Sequence, residues 1–420
     1  MSRPPLRTLL AMAALLLAAP AMAGTIAIVN ATIYTADKAG VLTGATLVMR
    51  DARIVAVGRN LAVPPGATVI DGTGKMVTPG MFAPLSTLGV TDSEGMTEVN
   101  DARSGHKRYS AAIDMADAFN PLSLRIPIAR VDGVTRAMLA PVAARGGTSI
   151  LVGQGAVISL GGGSDWLVKS RAAMFAEFGE HAATLNGTRA GTMLAIREAF
   201  EEVRTAGKPN NDPKLDSLLS KLDIAALRPV LAGQVPLVVH ANRASDIVAA
   251  IKLARQFKLR LVISGAAEGW LVARQLAQAN VDVIVDPELQ LPEEFESLAS
   301  RSDNAKLLHE AGVMVTLSSS STASSNARNL RQLAGIAVNG GLDPQAALAG
   351  ITLNPARLYG VDKQLGSLAA GKMADVVIWD GDPFELSSYP VAVFIAGERM
   401  SDTNRQTALR DKYMRMHKLK

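Results

Sequence analysis

The sequence contains no cysteine, and aromatic residues make up only 4% of its 420 residues. Without cysteine there is no disulfide, no thiolate nucleophile, no zinc–thiolate centre and no lipid anchor on a cleavage-site cysteine. With so few aromatics, Ala, Val, Ile and Leu must fill the core of a chain that is 48% hydrophobic, far too apolar to be disordered. Histidine is equally scarce, at five residues. Net positive charge is small: +5 in total, or +3 without Arg3 and Arg7. No block of Lys and Arg with interleaved aromatics appears, so no nucleic-acid partner is expected. No apolar run reaches the length of a membrane span, about 20 residues.

What is present begins with Arg3 and Arg7, the apolar run Leu9 to Ala19, and Ala21-Met22-Ala23 before Gly24. This is the pattern of a secretory signal peptide over residues 1–23. It predicts cleavage near Ala23 and a periplasmic or secreted protein. Short β-branched runs follow, from Thr25 to Ile70, punctuated by Gly44, Gly58, Gly66 and Gly72. They predict antiparallel strands that cannot bury both faces alone. Two late apolar runs, around Val376 to Trp379 and Val391 to Ile395, supply the missing half. Residues 24–79 and 363–400 are therefore expected to form one composite β-sandwich. Between them, strand runs (Gly133 to Ala140, Pro236 to His240, Arg260 to Ile263, Val281 to Val285, Val313 to Leu317) alternate with helical spacing. The helical segments are Ala172 to Glu180, Thr192 to Ala206, Ala244 to Phe257, Gly269 to Ala279, Glu293 to Arg301 and Ala327 to Gly340. Such alternation implies a parallel sheet. The span 80–362 suits a (β/α)8 TIM-like barrel, typically about 250 residues; a doubly wound open sheet is the alternative. Residues 401–420 read as a solvated helical tail. Gly153, Gly155 and Gly161 to Gly163 lack dinucleotide-binding spacing and read as a turn.

The stretch Lys75-Met-Val-Thr-Pro-Gly-Met-Phe-Ala-Pro-Leu-Ser-Thr-Leu-Gly89 resembles the first barrel strand of the amidohydrolase superfamily. That strand usually runs Pro-Gly-Phe/Leu-Ile-Asp-x-His-x-His. A second match is denser: Gly366, Ser367, Leu368, Gly371, Lys372, Ala374, Asp375, Trp379, Asp380, Gly381, Asp382 and Pro383 stand at the spacing of the family's C-terminal signature. Asn326 to Arg331 and Ala347 to Arg357 resemble its last strand exit and final helix. The chain is most similar to the imidazolonepropionase-like group of secreted bacterial amidohydrolases. The resemblance implies the barrel-plus-sandwich fold, hydrolysis of non-peptide carbon–nitrogen bonds and, usually, zinc or another divalent metal.

The metal-binding residues are where the sequence departs from the family. Its usual set is two histidines after strand 1, often a carboxylated lysine or a glutamate after strand 4, histidines after strands 5 and 6, and an aspartate after strand 8. Here Leu85 and Thr87 stand at the first pair. His240 matches strand 5. Ser264 to Glu268 contains no histidine, and Ser320 stands where the aspartate is expected. Lys214 and Lys221 fall in a polar, helical segment. One imidazole with neutral hydroxyls cannot hold a catalytic zinc, so no metal ligand and no cofactor is assigned. The candidate catalytic residues are His240, Glu268 and Asp286. Each also has a plainer reading: a satisfied strand-end histidine, a first-turn carboxylate complementing a helix dipole, and a helix cap before Pro287. Thr87, Arg243, Ser320, Asn326 and Arg328 are candidate binding residues, with a flexible polar loop as the alternative for Ser318 to Ser325. His106, His181, His309 and His417 read as solvent-exposed.

Three functions remain open: an amidohydrolase-type enzyme whose metal-dependent catalysis is lost or altered, a metal-independent hydrolase or lyase, and a pseudoenzyme. The last would be a periplasmic scaffold or small-ligand-binding partner of an intact amidohydrolase. The expected partners are a small polar substrate or ligand, and a homo-oligomer or a hetero-oligomer with a related amidohydrolase.

Overall fold

The computed structural model describes residues 24–93, 95–105, 108–144, 149–206, 219–319 and 326–417. Eight strands form the barrel sheet: β1 (Met81–Ser86), β2 (Val134–Leu139), β3 (Leu151–Ser159), β4 (Leu167–Glu177), β5 (Leu237–Ala241), β6 (Leu261–Gly265), β7 (Asp282–Val285) and β8 (Val315–Leu317). They lie side by side in chain order from β1 to β8. The seam between β8 and β1 is bridged by the chain just after the helix Pro344–Gly350. Phe82 donates its backbone N–H to the Ile351 carbonyl at 2.8 Å, and the Asn354 amide donates to the Val315 carbonyl at 2.7 Å. The barrel is thus nearly closed.

The strand–helix alternation is complete only from β4 onward. β3 runs antiparallel to both β2 and β4, so β2, β3 and β4 form a meander without crossover helices. Two expected helices are absent. Ala172 to Glu177 belongs to β4. Its alanines favour helix, but their burial against β3 and β5 makes the tertiary contacts decide. Glu293 to Arg301 forms turns, not a helix. Gly153 and Gly155, expected in a turn, lie within β3. At Gly155 a Cβ atom would sit 2.5 Å from the Leu139 carbonyl oxygen of the neighbouring strand; only glycine permits that approach.

Alternation along the barrel strands sorts the apolar residues. Phe82, Met138, Val157, Phe175, Val238, Val262 and Ile284 pack together in the barrel interior. Leu237, Val239, Leu261, Ile263, Val283 and Val285 point outward into the layer shared with the helices. This period of two is what a strand imposes.

Both chain ends build the second lobe. Thr25–Tyr34, Val41–Arg50, Arg53–Arg59, Thr68–Asp71 and Met76–Pro79 join Val376–Trp379, Pro390–Ile395 and Glu398–Arg399 in one eight-stranded sheet. The first strand changes partner midway. Its first half pairs with Thr68–Asp71 and its second with Met76–Pro79, so one continuous sheet wraps around Ile28, Leu47, Met49, Val77, Val376, Ile378 and Phe394. A buried ion pair ties lobe to barrel: Arg136 of β2 donates to Asp375 from Nε at 2.6 Å and from Nη2 at 2.8 Å. The helix Arg405–Met416 has no buried residue, as expected of a solvated tail.

Candidate active site at the barrel mouth

The alternation that fills the interior also builds the site. One inward position beyond the apolar layer, the strands turn polar: Glu177 after Phe175, His240 after Val238, Ser264 after Val262, Asp286 after Ile284, and Ser318 two residues beyond Thr316. Glu177 and His240 are register partners, and so are His240 and Ser264. Adjacent strands lie about 4.8 Å apart, which makes these side chains immediate neighbours. All five line a cavity of about 790 Å³ at the carboxyl ends of the strands, together with Leu85, Thr87, Arg103, His181 and Glu294. The size suits a small organic molecule.

Glu177 was hidden in the sequence by the helical reading of Ala172 to Glu180. Read as a strand, the same run ends on an inward-facing carboxylate, where the family resemblance places a strand-4 glutamate. Burial pushes the Glu177 carboxyl above its ordinary value. His240 and then His181 and Arg103 pull it back, and Glu296 adds to the rise. His181, expected at the surface, lines the cavity because the helix Gly179–Leu185 starts directly after β4. Arg103 lines the same space, its Nη1 donating to the Ala143 carbonyl at 2.7 Å.

Gly265 explains much of the geometry beside His240. Its φ is +88°, and a Cβ there would lie 2.4 Å from Asn242 Oδ1 and 2.9 Å from His240 Cε1. The imidazole therefore fills the space that a side chain on the end of β6 would need.

The remaining candidates separate. Asp286 lies in the cavity wall, and its Oδ1 also accepts the Glu288 N–H at 2.8 Å, a turn-capping contact. Burial and then Asp286 push the Glu288 carboxyl upward, while Ser319 holds it back. Thr87 lines the cavity. Glu268 does not. Its carboxylate accepts the N–H of Ala244, first residue of the helix Ala244–Phe257, at 2.9 Å and that of Ala299 at 3.3 Å. It ties the loop after β7 to a helix N-terminus, where a carboxylate is favoured, and it is not brought to His240. Arg243 is the exposed residue preceding that helix. Arg328 pairs with Asp132 at 2.7 Å and donates to Gln406 at 3.0 Å, away from the cavity. Among the described residues, Asn326 donates from Nδ2 to Ser319 Oγ at 3.4 Å. Ser320, His106 and Lys214 lie outside the described residues, and Lys221 opens the helix Lys221–Leu231. His309 and His417 are exposed.

Among the described residues, no group of three or more His, Cys, Asp or Glu side chains is arranged to hold a metal ion. Leu85 cannot ligate, Thr87 and Ser264 are neutral, and Gly265 leaves no room for a second imidazole against His240. Glu177 and His240 stand at two of the family's ligand positions, but among the described residues they find no third donor, so this set does not fit the divalent metal that the family usually carries. Among the described residues, no helix is long and apolar enough to cross a membrane.

Comparison with known proteins agrees with this architecture. The amidohydrolase family model matches residues 238–403. Amidohydrolase tasK of Hapsidospora irregularis is 25% identical over 378 residues, covering 81% of this chain and 38% of that protein. An imidazolonepropionase of Shouchella clausii is 33% identical over 121 residues, covering 28% of this chain and 26% of that one. The chain thus spans well under half the length of these curated relatives. An amidohydrolase from Thermotoga maritima superposes with a TM-score of 0.79 at 27% identity, covering 90% of this chain and all of the other. Molinate hydrolase, at 17% identity and a TM-score of 0.55, shares the fold. A nearly closed barrel joined to a sheet from both chain ends, superposable on a solved amidohydrolase over nine-tenths of its length, together with the family match over residues 238–403, makes the chain similar to the amidohydrolases.

Proposed function

We propose that the protein is a hydrolase of non-peptide carbon–nitrogen bonds in small polar molecules, acting in the periplasm or outside the cell with altered or lost dependence on a metal. The observation that carries this is the cavity itself. It sits at the carboxyl ends of the barrel strands, where barrel enzymes place their chemistry, and it retains His240 among acidic and hydroxyl groups. The relatives called amidohydrolase and imidazolonepropionase suggest the bond class. The Arg3, Arg7 and Leu9 to Ala19 pattern suggests export.

Leu85 and Thr87 in place of the strand-1 imidazoles favour one second reading, a partner protein that binds a small polar ligand without turning it over. One experiment separates the two. Purified protein is offered a panel of cyclic amides, ureas and N-acyl amino acids, with and without chelator, and both binding heat and product are measured. The expected result is hydrolysis of at least one compound in chelator, reduced about a hundredfold or more in kcat/KM by His240→Asn, the range for loss of an acid–base group. Binding without product from any compound would overturn hydrolysis and leave the ligand-binding reading.

A further inference from the structure

We propose that Glu177 is the proton-transferring catalytic residue of this cavity and works beside His240 without a metal ion. The inference rests on the hydrolase reading above and assigns the group that reading lacks. Glu268 is committed to a helix N-terminus, and Asp286 Oδ1 to a turn. Glu177 ends β4 as the register partner of His240 and faces the same cavity. Among the described residues, no side chain forms a hydrogen bond or ion pair with its carboxylate that would fix its ionisation.

Burial outweighs the nearby positive charges and lifts the Glu177 carboxyl above its ordinary value. His240 from β5, His181 from the helix after β4 and Arg103 from the loop before β2 favour the carboxylate; burial and Glu296 from the loop after β7 favour the acid. Glu177 can therefore accept a proton in the cavity beside His240 and return it there, the role of a general base that later acts as an acid.

The Glu177 carboxylate takes a proton from a water molecule as the water oxygen bonds to the carbonyl carbon of the substrate. The π pair of the C=O moves onto oxygen. When that pair re-forms the C=O, the C–N bond breaks and its electrons go to nitrogen. Nitrogen takes the proton held by Glu177. The products are a carboxylic acid and an amine, and Glu177 is again a carboxylate. His240 stands across from Glu177 on the neighbouring strand, placed to orient the same substrate.

The test has two arms. In the first, the full chain is labelled at its histidine rings and followed by NMR across pH 4 to 9, with His240 identified by the signal lost in His240→Gln. The His240 signal is expected to show a second inflection from the ionisation of Glu177, absent in Glu177→Gln. Identical curves in the two proteins would overturn the pairing, whether or not any substrate is known. In the second arm, Glu177→Gln is expected to lower kcat/KM about a hundredfold or more on a compound the wild type hydrolyses, with Glu177→Asp recovering part of it and both variants keeping the wild-type melting temperature within a few degrees. A Glu177→Gln protein that is folded and fully active would overturn the assignment. Wild-type protein inert to the whole panel would count against the hydrolase reading instead, and the ring titration would still decide the pair.

Discussion

Replacing Asp282 by Asn should remove a pH dependence of stability whose size follows from the position of that residue. Asp282 opens β7 at the floor of the barrel, two residues before Ile284 and on the same, inward side of the strand. Burial pushes its carboxyl from 3.8 up to about 6, with the charge of Arg260 offsetting part of the rise. The unfolded chain releases this proton near pH 4, whereas the folded chain holds it until about pH 6. Between those values the native state binds more protons, so stability falls as pH rises and is constant again above the window. A shift of about two units corresponds to roughly 3 kcal/mol, at about 1.4 kcal/mol per unit. Asn keeps the shape and cannot ionise. The assay is urea unfolding of wild type and Asp282→Asn at several values between pH 4 and 7, compared through midpoints at constant slope. Other carboxylates titrate in this range in both proteins, so the observable is the difference between the two curves. The variant should gain roughly 2–3 kcal/mol relative to wild type between pH 4 and pH 7. A difference that stays flat across that range would refute the assignment of a buried, protonated Asp282.

Two further substitutions probe the frame around the site. Asp375→Ala leaves the Arg136 guanidinium buried without its bidentate partner; it should cost about 3–5 kcal/mol in the same unfolding assay, whereas loss below 1 kcal/mol would mean the lobe is not anchored through this pair. Gly265→Ala forces a Cβ into a left-handed backbone position and against His240 and Asn242; about 1–2 kcal/mol of stability should be lost from the backbone alone, and the His240 ring signal should move, while an unchanged ring signal would contradict the contact.

The composite lobe and the later barrel strands were legible because their residues agree with their structure at every level. Thr25–Tyr34 and Val376–Trp379 are β-branched and sit in strands, and Ala244 to Phe257 carries helical spacing and is a helix. The site was only partly legible. His240 and Asp286 end apolar strands and point inward, as expected from a period of two. Glu177 was obscured because Ala172 to Ala176 has the local preference of a helix, and only burial between β3 and β5 makes it a strand. Glu268, following β6, reads either as a carboxylate complementing a helix dipole or as a pocket acid; which one holds depends on where residues 244 and 299 are brought, which local sequence does not encode. Arg328 has the same explanation: its partners Asp132 and Gln406 are distant in the chain.

The central claim is that this barrel mouth transfers protons among its own side chains and has no cation to hold. Elemental analysis of the chain, purified without chelator and dialysed, tests it most directly. The account predicts zinc, manganese, iron and nickel each well below one ion per chain; one tightly held ion per chain, lost in both Glu177→Ala and His240→Ala, would contradict it.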